Sequence, residues 1–126
     1  MFNENDIMTS SDFNVIEGRI YQLNQRIREL GYTITPYELI TISDRGNLLD
    51  SYLNNIEQGI FNLGKYYYKP LGWQKTKEWQ PLMSFSYKDV NRWIKNLNLI
   101  QEALNNESSM LLPSDTLYPS DTLLPR

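Results

Sequence analysis

Residues 9–23 read TSSDFNVIEGRIYQL, and residues 86–100 read SYKDVNRWIKNLNLI. Each stretch begins with a hydroxyl residue and has an aspartate three positions later. A hydroxyl side chain before the first helical turn accepts from free backbone N–H groups, and an acid at the third helical position bonds back to the N-cap. Both stretches therefore predict the start of an α-helix. The predicted capping residues are Thr9, Asp12, Ser86 and Asp89.

The apolar residues behind both caps follow a helical period. They recur at alternating steps of three and four residues, which places them on one narrow face of a helix. The stripe of the first helix is Phe13, Ile16, Ile20, Leu23, Ile27 and Leu30, and that of the last is Val90, Trp93, Leu97, Ile100 and Leu104. Because capping and apolar positions correspond at a constant offset, we interpret the two helices as an internal duplication.

A third long helix is predicted at residues 47–67. Its stripe is formed by Leu49, Tyr52 or Leu53, Ile56, Ile60 and Leu63. A short helix is predicted before it, because Thr35, Pro36 and Glu38 combine an N-cap, a first-position proline and a capping-box acid. Gly31 is expected to end the first helix, and the last helix is expected to end near Asn105. The predicted fold is all-α, a small bundle of three main helices within residues 1–107.

The segment KPLGWQKTKEWQPLMSF, residues 69–85, has no hydrophobic period and contains Pro70, Gly72 and Pro81. We interpret it as an ordered loop that wraps around the helices. Its two tryptophans, Trp73 and Trp79, have two open interpretations: they pack in the core, or they form an exposed contact site.

Residues 108–126 are predicted to form an extended tail that ends in the repeat LLPSDT, LYPSDT, LLPR. Proline disfavours helix, and a period of six matches both polyproline II and a strand, so the apolar side chains recur on one face. We therefore predict a strap that docks on a partner. The predicted docking residues are Leu111, Leu112, Leu117, Tyr118, Leu123 and Leu124, followed by Trp73 and Trp79.

The composition argues against catalysis. The 126 residues include no histidine and no cysteine, which removes the commonest general base, the commonest metal ligands and thiol chemistry. There is no glycine-rich phosphate loop. We therefore expect no enzyme activity, no catalytic, cofactor-binding or metal-binding residue, no cofactor and no small-molecule substrate. The first residues lack the features of a signal peptide, and no apolar run is long enough to span a bilayer, so no membrane partner is expected.

Residues 79–97, WQPLMSFSYKDVNRWIKNL, resemble a segment of small tail-region proteins of tailed phages and prophages of Gram-positive bacteria. In those proteins a tryptophan precedes a short polar stretch and a capped helix that opens Asp-hydrophobic-Asn-Arg-Ile-Glu. Asn91 and Arg92 match that pattern, whereas Trp93 and Ile94 stand where isoleucine and glutamate are usual. The N-terminal stretch DFNVIEGRI carries the Asn, Ile and Glu. The terminal repeat also resembles short tails on such virion proteins.

The resemblance implies a structural component of a virion tail, at the baseplate or tail tip, that is made in the host cytoplasm. Its implied partners are other tail proteins in a symmetric oligomeric assembly.

Two other functions stay open. Residues 65–95 are basic and rich in aromatic rings, as in surfaces that bind single-stranded nucleic acid, although the net charge of −3 opposes this. Exposed tryptophans would instead suit a module that binds cell-wall carbohydrate. Carboxylates such as Glu17 and Glu57 are available for glycosidase chemistry, but nothing in the sequence brings two of them together.

Overall fold

A computed structural model describes residues 2–3, 9–40 and 50–111, with side chains as far as residue 107. These residues form three α-helices, α1 (Ser10–Glu29), α2 (Asp50–Tyr66) and α3 (Tyr87–Leu111). Each helix packs against the other two, and the described ranges contain no strand. The prediction of an all-α bundle of three main helices is confirmed.

The predicted stripes form the core. In α1 the stripe is buried from Phe13 to Ile27, and in α3 it is buried from Val90 to Leu104. The sequence left open whether Tyr52 or Leu53 belongs to the apolar stripe of α2. Both residues are buried, so both belong to it. Burial of each large apolar side chain stabilises the fold by about 1.5–3 kcal/mol, which makes these stripes the main source of the bundle's stability.

The two predicted helix starts have related but unequal caps. In α1 the Asp12 N–H donates to Thr9 Oγ1 at 3.2 Å and the Thr9 N–H donates to Asp12 Oδ2 at 2.9 Å, a complete capping box. In α3 the Ser86 N–H donates to Asp89 Oδ2 at 3.0 Å, while the Ser86 hydroxyl accepts from the Lys88 N–H at 3.3 Å. All four predicted capping residues therefore act as caps, and the duplication itself stays a prediction.

The short helix predicted at Thr35–Glu38 is absent, and that prediction was wrong. Residues 33–40 have no helical hydrogen bonding and run along the outside of α1 and α2. The Asn24 amide donates to the Thr35 carbonyl at 2.8 Å, and Tyr37 is buried beside Gly59. These tertiary contacts hold the chain extended and override the local capping signal. We call residues 33–40 the crossing segment.

The ends of α1 and α3 differ in how well the sequence predicts them. Gly31, with φ of +102°, follows the C-cap of α1 as expected. The predicted end of α3 near Asn105 was wrong, since the helix continues to Leu111. The side-chain oxygen of Asn105 accepts hydrogen bonds from the side chains of Gln101 at 3.0 Å and Arg26 at 3.2 Å. It therefore does not compete for the hydrogen bonds of the helical backbone.

The predicted tail begins later than residue 108, because residues 108–111 are helical and Leu111 is the last residue of α3. The other docking residues of the tail lie outside the described residues: Leu112, Leu117, Tyr118, Leu123 and Leu124. The strap therefore stays a prediction. None of the helices in the described part of the chain has the length and apolar character needed to cross a bilayer.

Candidate functional site

The connections between the helices are fastened to the bundle by buried carboxylates. Glu17 of α1 holds the crossing segment. Glu57 of α2 holds residues 67–86, which we call the Trp loop. Both glutamates are 2 % exposed. A buried charge is costly unless it is paired and hydrogen-bonded, so the partners of each carboxylate decide what it can do.

Glu57 accepts five hydrogen bonds, two from the Trp loop and three from α3. The indole N–H groups of Trp79 and Trp93 donate to Oε2 at 2.9 and 3.0 Å, and the Lys77 backbone N–H donates to Oε1 at 3.1 Å. The Arg92 guanidinium donates to both oxygens, at 2.8 and 2.6 Å. This forked geometry is the strong form of a carboxylate–arginine pair. Glu57 thus joins α2, α3 and the Trp loop.

Asp89 extends this network. Its Oδ1 accepts from Lys77 Nζ at 2.6 Å and from Arg92 Nη2 at 3.2 Å, while its Oδ2 caps α3. The side chain was predicted only as a cap. It also neutralises Lys77, whose side chain is 43 % exposed, and shares Arg92 with Glu57. Four charges of alternating sign therefore lie in one connected cluster.

Both carboxyl groups of this cluster stay ionised. Burial opposes ionisation of Glu57, but hydrogen bonds from Arg92, Trp79 and Trp93 outweigh it and lower its pKa. Burial likewise opposes ionisation of Asp89, and the bonds from Lys77, the Ser86 N–H and Arg92 lower its pKa. Burial would lower the pKa of Arg92, but its two carboxylate partners raise it.

Acid is expected to weaken the fold through these two groups. Because the folded-state pKa of each is lowered, their stabilisation is fully present above the unfolded-state values, about pH 4. It is lost as the pH falls through the lower folded-state values. Urea-unfolding midpoints followed by circular dichroism between pH 7 and pH 3 measure this loss. The Glu57→Gln variant, although less stable at pH 7, should lose less stability on acidification, and an unchanged slope would contradict the assignment.

Trp79 was left open between core packing and an exposed docking site, and the structure shows the core position, in which the residue is 2 % exposed. Its backbone is fixed by Asn54, whose side chain accepts from the Trp79 N–H at 2.6 Å and donates to the Trp79 carbonyl at 3.0 Å. Trp73 is partly buried and lies against Gly64. The two rings therefore pack against the bundle. They do not form the exposed tryptophan surface that the carbohydrate-binding alternative requires.

Glu17 is held by neutral donors. The hydroxyls of Tyr37 and Tyr52 donate at 2.7 and 2.9 Å, and the Ile40 N–H donates at 2.9 Å. Burial and the bond to Glu17 raise the pKa of both tyrosines, so the hydroxyls keep their protons. Both glutamates directly follow an isoleucine of a helical stripe. That position flanks the core, and it is the feature of the sequence that could have indicated their burial.

The three buried carboxylates all act as hydrogen-bond acceptors within the fold. Glu17, Glu57 and Asp89 are each occupied by donors of the fold. Across the described ranges, no group of three or more Asp and Glu side chains is placed to hold a metal ion. In the basic segment, residues 65–95, Lys77 and Arg92 already form ion pairs within the fold. The nucleic-acid alternative therefore has fewer available cations than the sequence indicated.

The surface offers two exposed leucines at turns of the Trp loop. Leu71 is 96 % exposed and Leu82 is 102 % exposed. Sequence reasoning placed both in the loop and assigned neither a role. An exposed apolar side chain on a well-held loop is suited to protein contact. The chain matches no protein-family model, no curated protein and no solved structure.

Proposed function

We propose that this chain is a structural protein of a phage tail, at the baseplate or tail tip, that holds neighbouring subunits or fibres together. The location in a virion rests on the resemblance of residues 79–97. The structural role is supported by one observation above all. In the described part of the chain, all three buried carboxylates fasten a connecting segment or a helix start to the bundle.

This use of buried charge favours a rigid contact module over a catalyst. The Trp loop is held by Glu57, by Asn54 and by Asn96, whose side chain exchanges two hydrogen bonds of 2.8 Å with the Gln74 backbone. A loop fixed in this way loses little conformational entropy when it binds. Repeated subunits of a tail require such preformed contacts, since each copy must present the same surface to its neighbour.

The tail supplies the second contact in this proposal. Residues 112–126 follow α3 and span up to about 45 Å when extended. Ordering each residue costs about 1–2 kcal/mol of backbone entropy, so the apolar side chains must be buried by a partner in return. We assign that burial to Leu117, Tyr118, Leu123 and Leu124.

Truncation after Leu111 tests the proposal. We expect unchanged helicity and melting temperature, because the buried stripes end at Leu104. Incorporation into tail particles should fall more than tenfold, as measured by quantitative mass spectrometry of particles purified on a density gradient. Equal incorporation of the truncated chain would reject the strap.

A full-length control separates tail length from tail chemistry. Serine at positions 117, 118, 123 and 124 keeps the length and charge of the tail and should reduce incorporation as much as truncation does. Asp115→Asn with Asp121→Asn keeps the apolar side chains and should incorporate normally. Normal incorporation of the serine variant would show that the leucines and the tyrosine are not the docking groups.

A further inference from the structure

Among the described residues, three asparagines bind the backbone of another segment through both groups of the side-chain amide. Asn54 and Asn96 bind the Trp loop in this way. Asn91 of α3 binds the start of the chain: its side-chain oxygen accepts from the Phe2 N–H at 2.9 Å, and its side-chain nitrogen donates to the Phe2 carbonyl at 2.7 Å. One recognition geometry thus serves both a connection between helices and the residues before α1.

The Phe2 ring is the second part of this contact. It is partly buried and packs against the hydrophobic core, while the Phe2 backbone pairs with Asn91 as it would with a neighbouring strand. The contact therefore recognises an extended backbone that carries a bulky apolar side chain, because both backbone groups find a complement and the ring leaves water. We call Asn91 and the adjoining core surface the Phe2 seat.

Phe2 differs from the Trp loop in how it is attached to the helices. The Trp loop joins α2 to α3, so both of its ends are fixed. Phe2 is joined to the helices on its C-terminal side alone, through the residues that lead to Thr9. Release of Phe2 therefore displaces no helix. A segment attached in this way can be exchanged between identical molecules at low cost, since the same contacts form again.

The direction of the helices places the Phe2 seat at one end of the bundle. Arg19 of α1 donates to Asn98 of α3 at 2.9 Å, and seven residues further along both helices Arg26 donates to Asn105 at 3.2 Å. Because the contacts advance by equal steps in the same direction, α1 and α3 run parallel. Both helices therefore begin at the same end of the bundle, and the Phe2 seat lies in the first turns of α3 at that end.

We propose that two copies of the chain exchange their first residues, so that Phe2 of each copy occupies the Phe2 seat of the other. The occupant suits the site because the same segment fills it within one copy. The chain from residue 3 to residue 9 spans at most about 22 Å, so the two bundles meet at the ends where α1 and α3 begin. The exchange is reciprocal and gives a two-fold dimer. It does not depend on the proposed role of the tail.

Sedimentation velocity of the full chain up to millimolar concentration tests the exchange. The native chain should form a dimer in this range, because a short linker gives the competing contact within one copy a millimolar effective concentration. Phe2→Ser removes the ring, and Asn91→Leu removes both backbone bonds, so each should weaken dimerisation more than tenfold. Asn98→Leu is the matched control, since Asn98 lies on the same face of α3 and bonds Arg19 instead. It should dimerise as the native chain does.

Mixing the two defective variants tests whether Phe2 crosses between copies. Phe2→Ser retains the seat and Asn91→Leu retains the ring, so their equimolar mixture should form a one-to-one dimer although each alone is monomeric. Addition of unlabelled Asn91→Leu to ¹⁵N-labelled Phe2→Ser should shift amide resonances around residue 91 and leave those around residue 105 unchanged. Circular dichroism verifies that each variant is folded. A monomeric native chain, a Phe2→Ser variant that dimerises like the native chain, or a mixture without the dimer would each overturn the proposal.

Discussion

Replacing Arg92 with leucine is expected to destabilise the protein by about 3–5 kcal/mol, because removal of one partner leaves a buried charge uncompensated. Glu57 would keep its indole and backbone donors but lose the forked guanidinium at 2.8 and 2.6 Å. Arg92 also contacts Asp89, so the substitution weakens two carboxylate sites together. Chemical denaturation at pH 7, followed by circular dichroism at 222 nm, measures the change.

Lys77→Leu is the matched control. Its ammonium group lies in the same cluster, but the side chain is 43 % exposed, and Asp89 would retain its bonds from Arg92 and Ser86. A loss of about 1 kcal/mol is expected for such a partly exposed pair. A similar loss in both variants would show that burial of Glu57 is not what makes Arg92 important.

The second large effect is expected at Gly59, where alanine should destabilise the protein by about 2–4 kcal/mol. A Cβ at this position would lie 2.5 and 2.6 Å from two ring carbons of Tyr37 and 3.0 Å from Ile20 Cγ2. The Tyr37 ring cannot swing away easily, because its hydroxyl is bound to Glu17 at 2.7 Å. The substitution therefore forces the crossing segment off α2 and disturbs the second buried carboxylate.

Gly18→Ala provides a control with the opposite sign. Gly18 lies in the interior of α1, and a Cβ there would meet no atom within 4 Å. Alanine favours a helix over glycine by about 1 kcal/mol, so this variant should be more stable than the native chain. Thermal denaturation of both variants measures the contrast. Stabilisation by both substitutions would mean that Tyr37 does not pack on Gly59.

The sequence predicted the parts of the fold that local signals determine. The cap at Thr9, the left-handed end at Gly31 and the alternating apolar steps each act within a few residues, so one chain is enough to find them. The same local reasoning failed at Thr35–Glu38. There a capping signal competes with Asn24 and Gly59, which are distant in sequence, and tertiary packing decides.

The candidate sites needed the structure for a similar reason. Glu57 meets Trp79 and Trp93 across 22 and 36 positions of the chain, and no local pattern indicates such a pairing. Phe2 likewise meets Asn91 across 89 positions, so the start of the chain could not be paired with α3 from the sequence. The tail residues 112–126 remain a prediction from the sequence.

The two indole groups that share Oε2 of Glu57 also give the protein an internal optical reporter. One indole belongs to the Trp loop and the other to α3, and the chain has three tryptophans in total. Release of the loop would move Trp79 from a buried, hydrogen-bonded site into water while the helices persist. Tryptophan emission would then shift to the red before ellipticity at 222 nm changes, which allows loop opening and global unfolding to be timed separately without any label.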